Sequence, residues 1–123
     1  MTWLLRSCTA LAITAGLFVG ASATAAPRHP KPLNPASAKL EKLPPAARAA
    51  ELARAVGHWC IGTEAFLMGV IASGPGTGNA YWSLRCADGS AWAIQIDPLA
   101  EFTAIGCDDY KANAEGKECF KKF

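Results

Sequence analysis

Histidine is almost missing from this chain: His29 and His58 are the only two in 123 residues. A catalytic metal cluster built on imidazole has no basis in that count, and no metal ligand is assigned. Cys-x-x-Cys is absent as well, which removes zinc knuckles and, with the histidines elsewhere, the Cys-x-x-Cys-His attachment of haem. The glycines of residues 73–82, SGPGTGNAYW, are followed by no Gly-Lys-Ser/Thr and by no helix start, so they make a poor phosphate cradle. They read instead as a corner between strands, where Gly and Asn supply positive φ. No cofactor is expected. Charge of one sign never accumulates either. The formal net charge is +2, and Arg28, Lys31, Lys39, Lys42, Arg48 and the Lys121–Lys122 pair are spread along the chain. Nothing here is built to track nucleic acid.

A long, uninterrupted apolar run is also lacking. The opening MTWLLRSCTALAITAGLFVGASATAAPRHP has one charge, Arg6, ahead of an apolar and small-residue stretch from Cys8 to Val19. Ala23-Thr24-Ala25 then supplies the small-x-small pattern of a secretory leader. Residues 1–26 are expected to be a signal peptide cut after Ala25 or Ala26. The alternative is a retained anchor, but Thr, Gly and Ser dilute the roughly 20 apolar residues that a span needs. Its removal takes Cys8 and Arg6 with it. The product is expected in the periplasm or the medium, with no stable membrane span.

Four cysteines then remain, Cys60, Cys86, Cys107 and Cys119. In a short exported chain an even count reads as two disulfides, because the compartment oxidises and the core is small. Three pairings are possible, and spacing alone does not choose between them.

Residues 27–44 hold most of the prolines and few large apolar residues, so they are expected to form a disordered tether. Residues 45–123 form the expected domain. Pro45 suits a first helical position. Ala46–Cys60 follows with strong helix formers and a stripe of Leu52, Val56 and Trp59 or Cys60 expected to face the core. Either Gly57 or Gly62 ends the helix. The apolar run over 63–73 could be a helix or a strand, and Val70-Ile71 before the glycine corner favours a strand. EFTAIGC reads as a last strand. Asp108-Asp109 early and lysines late suit a short C-terminal helical segment. The fold class is therefore α+β: an N-terminal helix packed on a small antiparallel β-meander, with a short C-terminal helical segment and two disulfides.

The hairpin NAYWSLRCADGSAWAIQID allows its register to be argued. A two-residue Asp88-Gly89 loop would put Trp82 and Leu84 on the face opposite Trp92, Ile94 and Ile96. A three-residue loop of Ala87, Asp88 and Gly89, with Gly89 left-handed, pairs Leu84 with Trp92 and Trp82 with Ile94. All the large apolar groups then share one face, which is worth several kcal/mol at about 25 cal/mol per Å². In such a meander Cys60, Cys86 and Cys107 lie at one end of the sheet. That favours Cys60–Cys86 and Cys107–Cys119, each worth about 3–4 kcal/mol in the chain-entropy model.

No catalytic residue can be nominated. His58 and Cys60 do not face each other on a helix, and Glu64, Asp97 and Glu101 have no evident partner. On the non-core face of the hairpin, Tyr81, Arg85 and Gln95 border small alanines. This shelf is the candidate binding site, with residue types favoured at recognition surfaces. A solvated sheet face, or one covered by the terminal segment, is the simpler alternative.

GNAYWSLRCADGSAWAIQID and the closing CFKKF resemble small exported proteobacterial proteins of unassigned function. The resemblance covers residues from about Gly62 to the end; it implies the compartment and the fold, and no activity. A looser similarity of architecture to envelope modules of the PepSY type implies inhibition or modulation of an exported enzyme. The expected function is a non-enzymatic protein-interaction module with an envelope protein as partner. A small envelope enzyme with an unlocated site and a structural envelope component are the alternatives.

Overall fold

The computed structural model describes residues 20–123. Most of the leader expected over 1–26 lies outside the described residues. Seven elements follow: α1 (Pro35–Glu41), α2 (Pro45–Val56), β1 (Gly62–Val70), β2 (Ala80–Cys86), β3 (Ala91–Ile96), β4 (Phe102–Gly106) and α3 (Cys107–Asn113). The strands form one antiparallel sheet in the order β1-β2-β3-β4, so the fold is α+β with a meander, as the sequence predicts.

The bulged hairpin register holds. Trp82 lies opposite Ile94 and Leu84 opposite Trp92. Cys86 N–H donates to Ser90 O at 2.9 Å, and Gly89 has φ 89°. Asp88 Oδ1 closes the turn by accepting from Ser90 N and Oγ at 2.9 and 2.7 Å, and those bonds lower its pKa. Trp82, Leu84, Ile94 and Ile96 thereby share a face, and each is at most 1% exposed.

Helix α2 covers that face with Ala49, Leu52 and Ala53. Its approach is close: a Cβ on Gly62 would lie 2.3 Å from the Ala49 carbonyl oxygen, so only glycine fits at the start of β1. Gly57 stops the helix, with φ 141° and its N–H bonded to Ala53 O. The chain turns there, and of the two residues offered to close the stripe Cys60 joins the core while Trp59 does not. Leu52 is buried and Val56 half-buried, but Trp59 lies 51% exposed beside buried Cys60.

The expected tether over 27–44 is corrected in its second half, which is part of the domain. Asn34 caps α1 by accepting from Ser37 N at 2.8 Å, and Pro35 takes the first turn, where a missing N–H costs nothing. The Asn34 amide then donates to Gly78 O at 2.8 Å, Ile96 O at 2.9 Å and Asp97 O at 3.2 Å. One side chain thus ties the helix start to the glycine corner and to the end of β3. Ser37 Oγ accepts from Trp82 Nε1 at 2.9 Å, and Leu40 joins the core. Arg48 of α2 closes the other end. Its guanidinium donates to the carbonyls of Leu40, Glu41 and Leu43 and lies over the Trp82 ring. Prolines here shape turns and a helix start instead of preventing order. Residues 20–32 carry no regular secondary structure and are exposed.

The glycine corner serves this clasp. Gly74, Gly76 and Gly78 all have positive φ, and Gly78 is buried against Pro98 and the Leu33 carbonyl. Its carbonyl is one acceptor for Asn34, so the corner anchors α1.

Candidate functional site

The opposite face of the sheet carries the predicted shelf. Tyr81, Arg85 and Gln95 do come together there: Tyr81 pairs with Gln95 across the strands, and its hydroxyl donates to Gln95 Oε1 at 3.2 Å. Arg85 Nε donates to Glu64 Oε2 at 3.4 Å, a partner in β1 that the sequence did not disclose. The shelf is not open, however. The C-terminal residues 107–123 lie across it and build a second, smaller core from Met68, Ala93 and Tyr110.

This roof is held by a different chemistry from the helical face. Cys107–Cys119 staples its two ends, with a Cα–Cα distance of 5.8 Å. Phe120 N–H donates to the buried Ser83 Oγ at 2.7 Å, and Phe123 N–H to Met68 O at 3.3 Å. Phe120 adopts φ 59°, a left-handed conformation that a bulky residue enters only when its surroundings impose it. The rings interlock: Tyr81 meets Tyr110 at 5.9 Å and Phe123 at 5.8 Å, and Phe66 meets Phe120 at 6.4 Å. Cations close the layer. Arg85 sits 4.7 Å from the Phe120 centroid, Lys117 4.3 Å from that of Phe123, and Lys122 5.4 Å from that of Phe66. Glu118 bridges Lys111 at 2.8 Å and also contacts Lys121. Those two ammonium groups, Lys111 first, hold its carboxyl at about 2.

Tyr81 and Arg85 are therefore positioned by intramolecular contacts. At the rim, Tyr81, Tyr110, Asn113 and Lys117 line an open cleft of about 510 Å³. The Tyr110 hydroxyl is buried with no hydrogen-bond partner among the described residues. Burial, then the neighbouring Tyr81, raises its pKa.

A second surface escaped the sequence reading. Cys60–Cys86 fixes the α2–β1 junction to the end of β2, with a Cα–Cα distance of 5.3 Å. Trp59 and Ile61 flank Cys60 and are 51% and 69% exposed. Trp59 packs edge-on against Trp92 of β3, with centroids 5.9 Å apart. Ile61 is anchored through its carbonyl, which accepts from Ala87 N at 2.8 Å. Two large apolar side chains are thus held in water on a backbone that a disulfide and a strand ladder keep in place. The signal was Gly57, one of the two helix stops the sequence offered: with the helix ended there, Cys60 turns inward and Trp59 outward.

Among the described residues no group of three His, Cys, Asp or Glu is placed to hold a metal ion, and no helix is long and apolar enough to cross a membrane. No family model matches the chain, and no curated protein or solved structure shows significant similarity to it.

Proposed function

We propose that this protein is an exported, non-enzymatic interaction module that docks a protein of the bacterial envelope through Trp59 and Ile61. The observation that supports this reading is the exposure of both side chains on either side of a disulfide-bonded cysteine, with Trp59 backed by Trp92. A rigid, exposed tryptophan offers large contact area at little entropic cost, the property that concentrates binding energy at interface centres. The two disulfides fit an oxidising compartment, and the leader-like opening of the sequence agrees with export. The partner is a protein with an apolar pocket; its docking modulates that protein and involves no turnover.

The test is affinity capture from periplasmic extract with the wild type, with Trp59→Ser/Ile61→Ser, and with Arg85→Ala as a control. One reproducible protein should be retained by the wild type and the control and lost by the double variant. Equal retention by the double variant would refute the reading, and so would the absence of any saturable partner.

A further inference from the structure

The two edges of the sheet are unlike. Strand β1 is interrupted between Gly62 and Glu64 and between Leu67 and Gly69, carries the exposed Glu64, and gives its Met68 carbonyl to Phe123 N–H. Bulges, a charge and a covering segment are the usual protections of an edge. Strand β4, FTAIG, has none of them: it carries no charge or proline, and its register with β3 is unbroken. Among the described residues no strand pairs with its outer side.

The free groups on that side can be assigned. Asp97 N–H donates to Glu101 O at 3.0 Å, so this pair opens the β3–β4 ladder. Hydrogen-bonding pairs alternate along an antiparallel ladder. Thr103 and Ile105 therefore turn their main-chain groups to β3, and Phe102 and Ala104 turn theirs outward together with the Gly106 N–H, while the Gly106 carbonyl serves the first turn of α3.

We infer that β4 pairs with β4 of a second copy of this chain, antiparallel and centred on Ala104. FTAIG read against its own reverse is self-complementary: Ala104 meets Ala104, Phe102 meets Gly106 and Thr103 meets Ile105. On the inner face the Phe102 ring covers a glycine, a pairing that restores the contact glycine lacks. On the outer face a β-branched pair forms, which favours sheet pairing. Charge agrees with this register. Arg54, which is 78% exposed and bridges to Glu51 at 3.2 Å, lines a cleft with Glu51 and Phe102 on the inner face. A Cβ built on Gly106 would point to the same face and lie 3.6 Å from Asp109 Oδ2. Seating Phe102 of one copy over Gly106 of the other brings Arg54 of the first to Asp109 of the second, twice by symmetry. The two sheets become one, and this pairing is independent of the surface around Trp59.

Sedimentation velocity on the full chain, purified oxidised from the compartment to which it is exported, tests the inference. The wild type should sediment as a dimer that dissociates on dilution. Ala104→Pro, which removes an outward N–H, should raise the dissociation constant at least about tenfold. Thr103→Lys, at an exposed position, should do the same if the proline variant fails to fold. Arg54→Glu should weaken the dimer, and adding Asp109→Arg should restore it, which a foreign strand on this edge would not produce. A wild type that stays monomeric at high concentration overturns the inference. So does a dimer indifferent to Ala104→Pro and Thr103→Lys, or a charge swap without recovery.

Discussion

On its inner face the sheet offers Trp82, Leu84, Ile94 and Ile96 to two helices, and the contact is apolar, close and closed to water. On its outer face it offers Tyr81, Ser83, Arg85 and Ala93 to a segment with a single short helix, whose rings are backed by cations and whose ends are joined by a disulfide. The inner layer owes its strength to the area it removes from water, which is why it tolerates no gap. The outer segment has too few large side chains to hold itself by burial. It depends on having its ends joined, which limits its freedom before it folds as well as after. One sheet thus carries two coverings with different failure modes.

The largest expected loss comes from opening the inner layer. Leu84→Ala, at a position 0% exposed, should lower stability by about 3–4 kcal/mol, measured by urea denaturation with a single transition for the whole domain. Breaking the outer staple is expected to cost no more than about 3 kcal/mol, the chain-entropy value for a loop of this size. Cys107→Ser/Cys119→Ser should show this as an early loss of near-ultraviolet aromatic signal, while the far-ultraviolet signal of the helices persists.

Asn34→Ala sharpens the comparison at the boundary of the inner layer. It removes a helix cap and leaves the buried Gly78 and Ile96 carbonyls without that donor, so about 2 kcal/mol should be lost. A thermal melt unchanged by this substitution would mean that α1 is not docked.

The smallest effect is electrostatic and confined to the outer layer. Glu118 has a folded pKa of about 2 against an ordinary value of 4.5. Its contribution is fully present above the ordinary value and is lost as pH falls through about 2. The wild type should therefore lose roof stability between roughly pH 4.5 and 2. Glu118→Gln should start less stable and show a flatter response in that window, read from the melting temperature at each pH.

The sequence disclosed the inner layer far better than the outer. Alternating apolar residues around Asp88-Gly89 made the hairpin register decidable, because the wrong loop length would have split Trp82 and Leu84 from Ile94 and Ile96. The same meander placed the cysteines and so suggested both disulfides. Helix α1 was hidden by proline content, although Asn34-Pro35 is a cap followed by a first-turn proline, with Leu40 one turn inward. Trp59 and Cys60 were both open as the next residue of the helical stripe, and only the turn at Gly57 decides that Cys60 is the buried one. The roof had no periodicity to read: its contacts are between single rings and single cations, most of them contributed by elements far apart in the sequence. For that reason Tyr81, Arg85 and Gln95 could be placed on one face, while the choice between a partner, solvent and the terminal segment as its cover stayed open until the fold showed the segment there.

Amide hydrogen exchange on Cys107→Ser/Cys119→Ser compares the two coverings within one molecule. Protection should fall across residues 107–123, including Phe120 and Phe123, and remain at Trp82, Leu84 and Ile94. Equal loss of protection in β2 and β3 would show that the two layers stand or fall together, and an unchanged roof would show that the staple does not hold it.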